Sequence, residues 1–363
     1  MDGGVDELRC WDSKVFSAPP RFSTVRVNTL KYDIDDVKLD LESYLNEHYP
    51  GCSVSQHPVL AELLVVQSAS SRPLRPAERR LVVDTLCGAA VLRGADVYAP
   101  GVLGCSADVR EGEPVSVHAD LEGCCLRGRT QPYEGHQLFV GNGVMEQSRH
   151  AIFTTEKPCG VAVRMTEPVF GSPSLGPFCG RRAFLQNLPS VLTSRVLDPR
   201  PGELVLDMCA APGGKTTHLA QLMEDQGVLY AVDKTAAKVG RIGALAEQQH
   251  LTCVRPLRAD STRLVADDSA CRLRQRHLTG AECSVHGRAT CAPPFAAGTF
   301  DRVLLDAPCS GLGQRPRLAA APAAGACASY PPLQRRLLRA AAALLRPGGT
   351  LVYSTCTLPA AEN

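Results

Sequence analysis

The sequence predicts an α/β protein: a Rossmann-like, doubly wound parallel sheet in the C-terminal half, preceded by an inserted β-barrel module and a small N-terminal α+β lobe. Three observations predict it. Short runs, apolar on both faces and ending in a polar residue, recur at 204–207, 228–233, 254–260, 300–306 and 350–354, separated by helical stretches. That is the pattern of buried parallel strands. Between 87 and 165 the texture is different, with short β-prone runs broken by glycine and little helical periodicity, as in a compact barrel. At 363 residues, 44% hydrophobic and 21% charged, the chain holds about two or three domains and is neither mostly disordered nor a coiled coil.

The elements follow in order. At 23–29, Val25 and Val27 alternate with polar neighbours, the signature of a half-buried strand. Val37, Leu39, Leu41 and Leu45 stand among acids before the Pro50-Gly51 stop, an amphipathic segment that completes an N-terminal lobe over 1–86. The turn-rich stretch 68–76 reads as a linker. The β module, 87–168, has runs at 89–92, 97–99, 114–118, 137–140 and 160–163, with glycine turns at Gly94, Gly101, Gly141 and Gly143. The α/β domain occupies 169–363. A helical pattern at 185–197 leads into its first strand, and the polar insert 267–298 and alanine-rich 318–328 read as largely irregular.

The start, MDGGVDELRCWDS, lacks the basic and apolar segments of a secretory leader, and no stretch approaches about 18 apolar residues. A soluble, cytoplasmic protein without membrane contact is expected, with most of its sixteen cysteines reduced. The formal net charge of +2 gives no global case for nucleic acid, so any such binding rests on local patches.

Asp207-Met-Cys-Ala-Ala-Pro-Gly-Gly-Lys-Thr-Thr217 follows the first α/β strand and opens a helix, where such sheets bind nucleotide-like ligands. Gly213 and Gly214 are expected to let backbone approach the ligand. A phosphate-binding P-loop fails on spacing, because Cys209 stands where its first glycine is needed. Asp233, at the end of the second strand, can accept both ribose hydroxyls, and Asp260, closing the third, can bond an adenine amino group. A ligand carrying adenosine without an obligatory phosphate, S-adenosylmethionine, suits this set. The alternative for each acid is a helix cap or turn former.

Asp306-Ala-Pro-Cys309-Ser-Gly311 closes the fourth strand and Tyr353-Ser-Thr-Cys356-Thr357 the fifth. Neighbouring strand ends place both thiols over the cofactor cleft. Taken singly, a cysteine is most often a small buried hydrophobe; two at these positions point to chemistry.

These three motifs, in this order and spacing, resemble the Sun-domain (NSUN, RsmB/Fmu-type) RNA cytosine-5 methyltransferases. The β module resembles the PUA domain of that family's PUA-carrying branch, the sixth NSUN group, through Val91-Leu-Arg-Gly-Ala95, Val97-Tyr-Ala-Pro-Gly101 and Val140-Gly-Asn-Gly143. Arg26-Val-Asn-Thr29 and Gln186-Asn-Leu-Pro189 match that branch too. The resemblance implies a thiolate adding to cytosine C6, with Cys356 as nucleophile and Cys309 assisting product release. Cys309 as nucleophile is the runner-up, on the pattern of the DNA cytosine enzymes. It implies that Asp306 bonds the base and Lys215 contacts the base or favours a thiolate. The implied cofactor is S-adenosylmethionine, held by Cys209, Ala210, Ala211, Pro212, Gly213, Gly214, Lys215, Asp233, Asp260 and Asp306.

As RNA surface the candidates are Arg93, Tyr98, Arg127, Arg129 and Asn142, against a solvated-face reading of about even weight. Arg181-Arg182 and a basic helix face at Arg335, Arg336 and Arg339 add local charge. The implied partner is the acceptor end of specific transfer RNAs, with no obligate protein partner. No metal is expected, since Cys271, His277, Cys283, His286 and Cys291 match no standard zinc spacing; Cys124-Cys125 reads as a surface or barrel-edge pair. The family's sheet has seven strands and the sequence supplies five, so a C-terminally truncated chain of weak activity is also expected. Its rival is a binding-only RNA protein that retains both folds.

Overall fold

The computed structural model describes residues 17–69, 73–266, 284–285, 288–289, 293–319 and 327–363. Candidate zinc ligands Cys271, His277, Cys283, His286 and Cys291 lie outside the described residues, as do most of the insert and of the alanine-rich loop.

The N-terminal lobe runs β1 (Phe22–Val27), α1 (Ile34–His48), β2 (Ser53–Gln56) and β3 (Leu63–Gln67). Asp33 caps α1 by accepting from the Asp35 N–H, and Val37, Leu41 and Leu45, four residues apart, form one buried stripe. The stripe covers Val25 and Val27. Strand β1 is not half-buried as expected, however: Thr24 and Arg26 on its other face are buried as well, Arg26 to 1% exposure, because that face packs on the α/β domain.

The second unit comprises β4 (Arg80–Val83), α2 (Thr85–Leu92), β5 (Val97–Tyr98), β6 (Val102–Cys105), β7 (Pro114–Asp120), β8 (Gln137–Met145), α3 (Arg149–Thr154) and β9 (Val161–Pro168). Its six strands are ordered β5-β9-β8-β7-β4-β6, with β4 parallel to β7 and a valine- and leucine-rich interior. The β-prone run expected at 89–92 is the end of helix α2. Asp84 caps that helix by accepting from the Cys87 N–H, and Gly88 lies so close to β7 that a Cβ there would come within 2.5 Å of the Ala119 Cβ.

The chain then returns to the first lobe: β10 (Ala183–Leu185) pairs with β1, giving the order β10-β1-β3-β2. The divisions expected at 86 and 168 are thus each crossed, since β4 belongs to the second sheet and β10 to the first.

The α/β domain follows as α4 (Leu188–Leu197), β11 (Leu204–Asp207), α5 (Gly214–Leu222), β12 (Val228–Asp233), α6 (Ala236–Gln248), β13 (Val254–Arg258), a short hairpin β14 (Ser284–Val285) and β15 (Arg288–Ala289), β16 (Phe300–Asp306), α7 (Tyr330–Leu344) and β17 (Leu345–Ser354). All five strands of the sheet β13-β12-β11-β16-β17 are parallel. Strand alternation splits the core into two layers. Val205, Leu229, Ala231 and Leu304 pack with Leu219 of α5 and Ile242 of α6. Leu206, Tyr230, Val303 and Leu305 pack with Leu337, Ala341 and Leu344 of α7. Parallel register brings the ends of β11, β12, β16 and β17 to one rim, with Asp207 opposite Leu304 and Asp306 opposite Ser354. No helix among the described residues is long and apolar enough to cross a membrane.

Candidate active site

At that rim the loop 207–214 joins β11 to α5. Gly213 is the helix N-cap at φ +112°, a conformation that favours glycine. Both glycines also lie close to the protein's own side chains: a Cβ on Gly214 would come within 2.8 Å of the Phe184 ring, and one on Gly213 would face Leu245 and Ile242. These glycines let the loop pack closely on Phe184 and α6, while Gly214 also borders a cavity at the rim.

A cavity of about 410 Å³ is lined by Cys209, Ala211, Asp233, Asp260, Asp306, Pro308, Cys309, Leu333, Arg336, Leu337 and Cys356. The acids at three strand ends, part of the β11 loop and both motif cysteines therefore share one wall. Asp233 accepts from the Ala211 N–H (3.2 Å) and the Lys234 N–H (2.7 Å), with Lys238 Nζ at 3.3 Å. Asp260 caps a short turn, accepting from the N–H (3.0 Å) and hydroxyl (2.7 Å) of Thr262. Those bonds hold its carboxyl below the usual range. For Asp260 the cap and the cavity wall are one residue, and the two readings coexist. The cavity's size is that of a nucleoside-like ligand, and its acids face apolar Ala259, Leu333 and Leu337. These acceptors fit the ribose hydroxyls and adenine amino group of S-adenosylmethionine.

Lys215, in the first turn of α5, donates from Nζ to Asp306 Oδ2 at 2.7 Å, and Ser354 Oγ donates to Asp306 Oδ1 at 2.7 Å. Beneath them Asp207 is fully buried; its Oδ2 accepts from Thr216 Oγ1 (2.8 Å), while Oδ1 has no partner. Burial, reinforced by Asp306, pushes its carboxyl up to about 7.

Cys309 and Cys356 lie with their sulfurs 3.2 Å apart. The Cys356 N–H also donates to Cys309 Sγ (3.3 Å), and Gln314 Nε2 donates to Cys356 Sγ (3.3 Å). The hydrogen bond from Cys309, aided by Gln314 and opposed by burial, lowers the Cys356 thiol to about 6; the same bond and burial push Cys309 far up. The sulfurs are within hydrogen-bonding distance, either able to donate, and each accepts one further N–H bond. Gln314 sits in an irregular loop, and Arg336, whose Nη2 donates to Thr262 Oγ1 at 3.1 Å, was legible only as part of a basic face. Neither carried a motif that marked it for the site.

A second cavity of about 380 Å³ borders the same Asp306 and is lined by Arg93, Phe184, Gln186, Asn187, Ser190, Asp207, Pro212 and Lys215. Arg93 thus reaches the catalytic domain from the barrel, and Tyr98 is 54% exposed. The other three RNA candidates make contacts within the barrel. Asn142 is 7% exposed; its Nδ2 donates to the Arg75 carbonyl and to Glu167, and its Oδ1 accepts from the Ala77 N–H. The Arg127 guanidinium donates to four backbone carbonyls, those of Ala99, Pro100, Val102 and Ile152. Arg129 donates to the Gln131 and Pro132 carbonyls and lies over Tyr133. These groups staple the barrel's loops together. Of the local basic residues, Arg182 pairs with Asp40, whereas Arg335, Arg336 and Arg339 are exposed on α7.

Sequence comparison matches residues 194–363 to the 16S rRNA methyltransferase RsmB/F family and residues 79–133 to the PUA domain. The chain is 45% identical to the human tRNA (cytosine(72)-C(5))-methyltransferase NSUN6, over 96% of this chain and 72% of that protein. It is 31% identical to the tRNA (cytosine(72)-C(5))-methyltransferase of Pyrococcus horikoshii, over 96% and 78%. The crystal structure of NSun6 from Pyrococcus horikoshii with SFG, an S-adenosylmethionine analogue, superimposes with a TM-score of 0.73 at 30% identity, over 97% of this chain and 79% of that one. With its cofactor rim, paired cysteines and PUA barrel, the chain belongs to the RsmB/F-type (NSUN) family of S-adenosylmethionine-dependent RNA cytosine-C5 methyltransferases.

Proposed function

We propose that this chain methylates a cytosine close to the 3′ acceptor end of transfer RNA, with Cys356 as the nucleophile. Two relatives named for cytosine 72 of transfer RNA support the substrate. The observation that carries the chemistry is the close Cys309–Cys356 pair in the wall of the cofactor cavity.

Cytosine C5 is too weak a nucleophile to take a methyl group unaided. The Cys356 thiolate forms a bond to C6, and the C5–C6 π electrons move onto C5, which becomes nucleophilic. S-adenosylmethionine, when bound, would supply the methyl group and be left as S-adenosylhomocysteine, and Asp233 and Asp260 would hold its adenosine. Asp306, fixed by Lys215 and Ser354, accepts from the N4 amino group of the base, and the Lys215 ammonium beside it offsets the negative charge that develops on the ring. Once Cys356 is bonded to carbon its negative charge is gone, and with it the bond that retained the Cys309 proton. Cys309, half-exposed, can then release its proton to solvent, and its thiolate takes the C5 proton. The C5–H electrons form the new C5=C6 bond as the C6–S bond breaks back to the thiolate.

The base must leave its stack to reach Cys356. In this reading the strand approaches past Arg93 and Tyr98 of the β4–β9 barrel, and Arg93 contacts phosphate beside the second cavity. The enzyme acts in a reducing compartment, the cytoplasm in this reading, which the free thiols at the described cysteines support.

Trapping tests the assignment. Cys309→Ser should accumulate a gel-stable RNA adduct that disappears in the Cys309→Ser/Cys356→Ser double variant. An adduct surviving loss of Cys356 would move the nucleophile to another residue. RNA binding with neither adduct nor methyl transfer would favour a binding-only protein.

A further inference from the structure

Cys309 and Cys356 lie on separate loops beyond Asp306 and Ser354, the last paired residues of β16 and β17. Strand pairing alone therefore does not set the distance between their sulfurs. The loops are joined by a buried polar cluster around Glu362, which is 3% exposed. Its Oε2 accepts from the Ser310 N–H (3.1 Å) and from Gln334 Nε2 (3.0 Å), and its Oε1 accepts from Ser310 Oγ (2.6 Å). Tyr353 Oη donates to its backbone carbonyl at 2.6 Å, and Gln334 Nε2 also donates to the Pro308 carbonyl at 2.9 Å.

Ser310 directly follows Cys309, and Thr357 directly follows Cys356. Their hydroxyls are 2.6 Å apart, and Thr357 Oγ1 accepts from the Leu312 N–H at 3.2 Å. The proton order of this chain is determined. Ser310 gives its hydroxyl proton to Glu362, so Thr357 must give its own to Ser310 while accepting from Leu312. The hydrogen bonds run one way, from the Leu312 N–H through both hydroxyls to Glu362, and each hydroxyl belongs to the neighbour of a reactive cysteine.

We propose that Glu362 is a positioning residue for methyl transfer: acting through Ser310 and Thr357, it fixes the spacing and orientation of the Cys309 and Cys356 thiols. The inference rests on the reading of these two cysteines as the reacting pair. It adds that their geometry is set by an acceptor six residues beyond Cys356 that touches neither sulfur.

Glu362→Gln replaces one acceptor oxygen with an amide donor. That donor either opposes the donors already aimed at Glu362 or forces the hydroxyl chain to reverse, leaving the Thr357 proton without an acceptor. The expected result is a fall in kcat of about tenfold, with KM for transfer RNA and S-adenosylmethionine within about twofold, because thiol placement matters in the chemical step. The pH midpoint for iodoacetamide alkylation of Cys356, followed on its peptide by mass spectrometry without RNA or cofactor, should move upward.

Thr357→Val should reproduce both effects, whereas Thr357→Ser, which keeps the hydroxyl, should restore both. The threonine pair also decides the matter if Glu362→Gln does not fold. Wild-type kcat and an unmoved alkylation midpoint in folded Glu362→Gln or Thr357→Val would overturn the proposal, as would Thr357→Ser behaving like Thr357→Val. The alkylation midpoint reads thiolate formation at Cys356 without RNA or cofactor, so its outcome stays separate from that of the adduct trap, which reads the choice of nucleophile.

Discussion

Lys215 Nζ lies 2.7 Å from Asp306 Oδ2, tying the first turn of α5 to the end of β16 where the cofactor cavity and the barrel-facing cavity adjoin. An ion pair there acts as one unit, since either partner alone presents a charge of the wrong sign or orientation to the base. Asp306→Asn should lower the single-turnover rate by about a hundredfold, the scale of losing one preorganised group at a developing charge. Lys215→Met in that background should add little, because contacting residues are not additive. Fully multiplicative effects in the double variant would show that the two act separately.

The Cys356 thiol, lowered to about 6 chiefly by its bond from Cys309, gives the methylation rate an acid limb. The rate should rise as pH passes through about 6, where the thiolate forms, and level off before pH 8. Gln314→Leu removes the second donor at Cys356 Sγ and should move this limb upward while leaving the plateau within about threefold, in line with one lost charge-assisted hydrogen bond. A limb that stays in place would remove Gln314 from the site.

Arg93 and Arg127 should separate cleanly. Arg93→Ala is expected to weaken binding of transfer RNA and to reduce the slope of log affinity against log salt by about one, as for a lost phosphate contact, with an unchanged melting temperature. Arg127→Ala strands the carbonyls of Ala99, Pro100, Val102 and Ile152. It should cost about 2 kcal/mol of stability and leave the salt slope unchanged. Exchange of these two phenotypes would restore Arg127 to the RNA surface.

The lobe and the α/β domain are joined by a buried network: His218 Nε2 lies 3.1 Å from Glu62 Oε1, and Arg195 Nε donates to the same oxygen at 2.8 Å. Burial alone would raise the Glu62 carboxyl, yet the bonds from His218 and Arg195 hold it well below the usual range. A depressed carboxylate contributes stability above its unfolded value, about 4.3, and loses it as the solution is acidified through the folded value. Glu62→Gln should cost about 3 kcal/mol at neutral pH, as when one partner of a buried pair is removed, and less at pH 3. A penalty independent of pH would mean that the charge is not what Glu62 contributes.

Much of this was legible in the sequence because the strands carry local signals. The runs ending at Asp207, Asp233 and Asp306 are apolar on both faces, and the cysteines stand directly after such ends. Helix α2 was hidden because Ala89-Ala-Val-Leu92 is apolar whichever way it folds, and only the Asp84 cap distinguishes helix from strand. The structural contacts of Asn142 and Arg127 were hidden for a related reason. A polar side chain in a glycine-rich barrel looks like a ligand contact until the backbone carbonyls it satisfies are brought near from residues far away in sequence. Glu362 and Gln314 were invisible because their role arises from loop proximity rather than periodicity.

Asp207 gives the last test, since its buried Oδ1 has no partner and its carboxyl is pushed up to about 7 by burial. In the unfolded chain the same group ionises near about 4. Between these values the folded protein holds a proton that the unfolded chain releases, so this group's contribution to stability is full below about pH 4 and falls as pH rises through 7. Asp207→Asn keeps the shape and cannot ionise. Its melting temperature relative to the parent should therefore be higher at pH 8 than at pH 5. The Thr216 hydroxyl, which donates to Asp207 Oδ2, can serve the amide oxygen equally, leaving the first turn of α5 and Lys215 in place. Parallel pH profiles for parent and variant would show that Asp207 is ionised in the folded state, and that Lys215 is shared between two carboxylates rather than committed to Asp306.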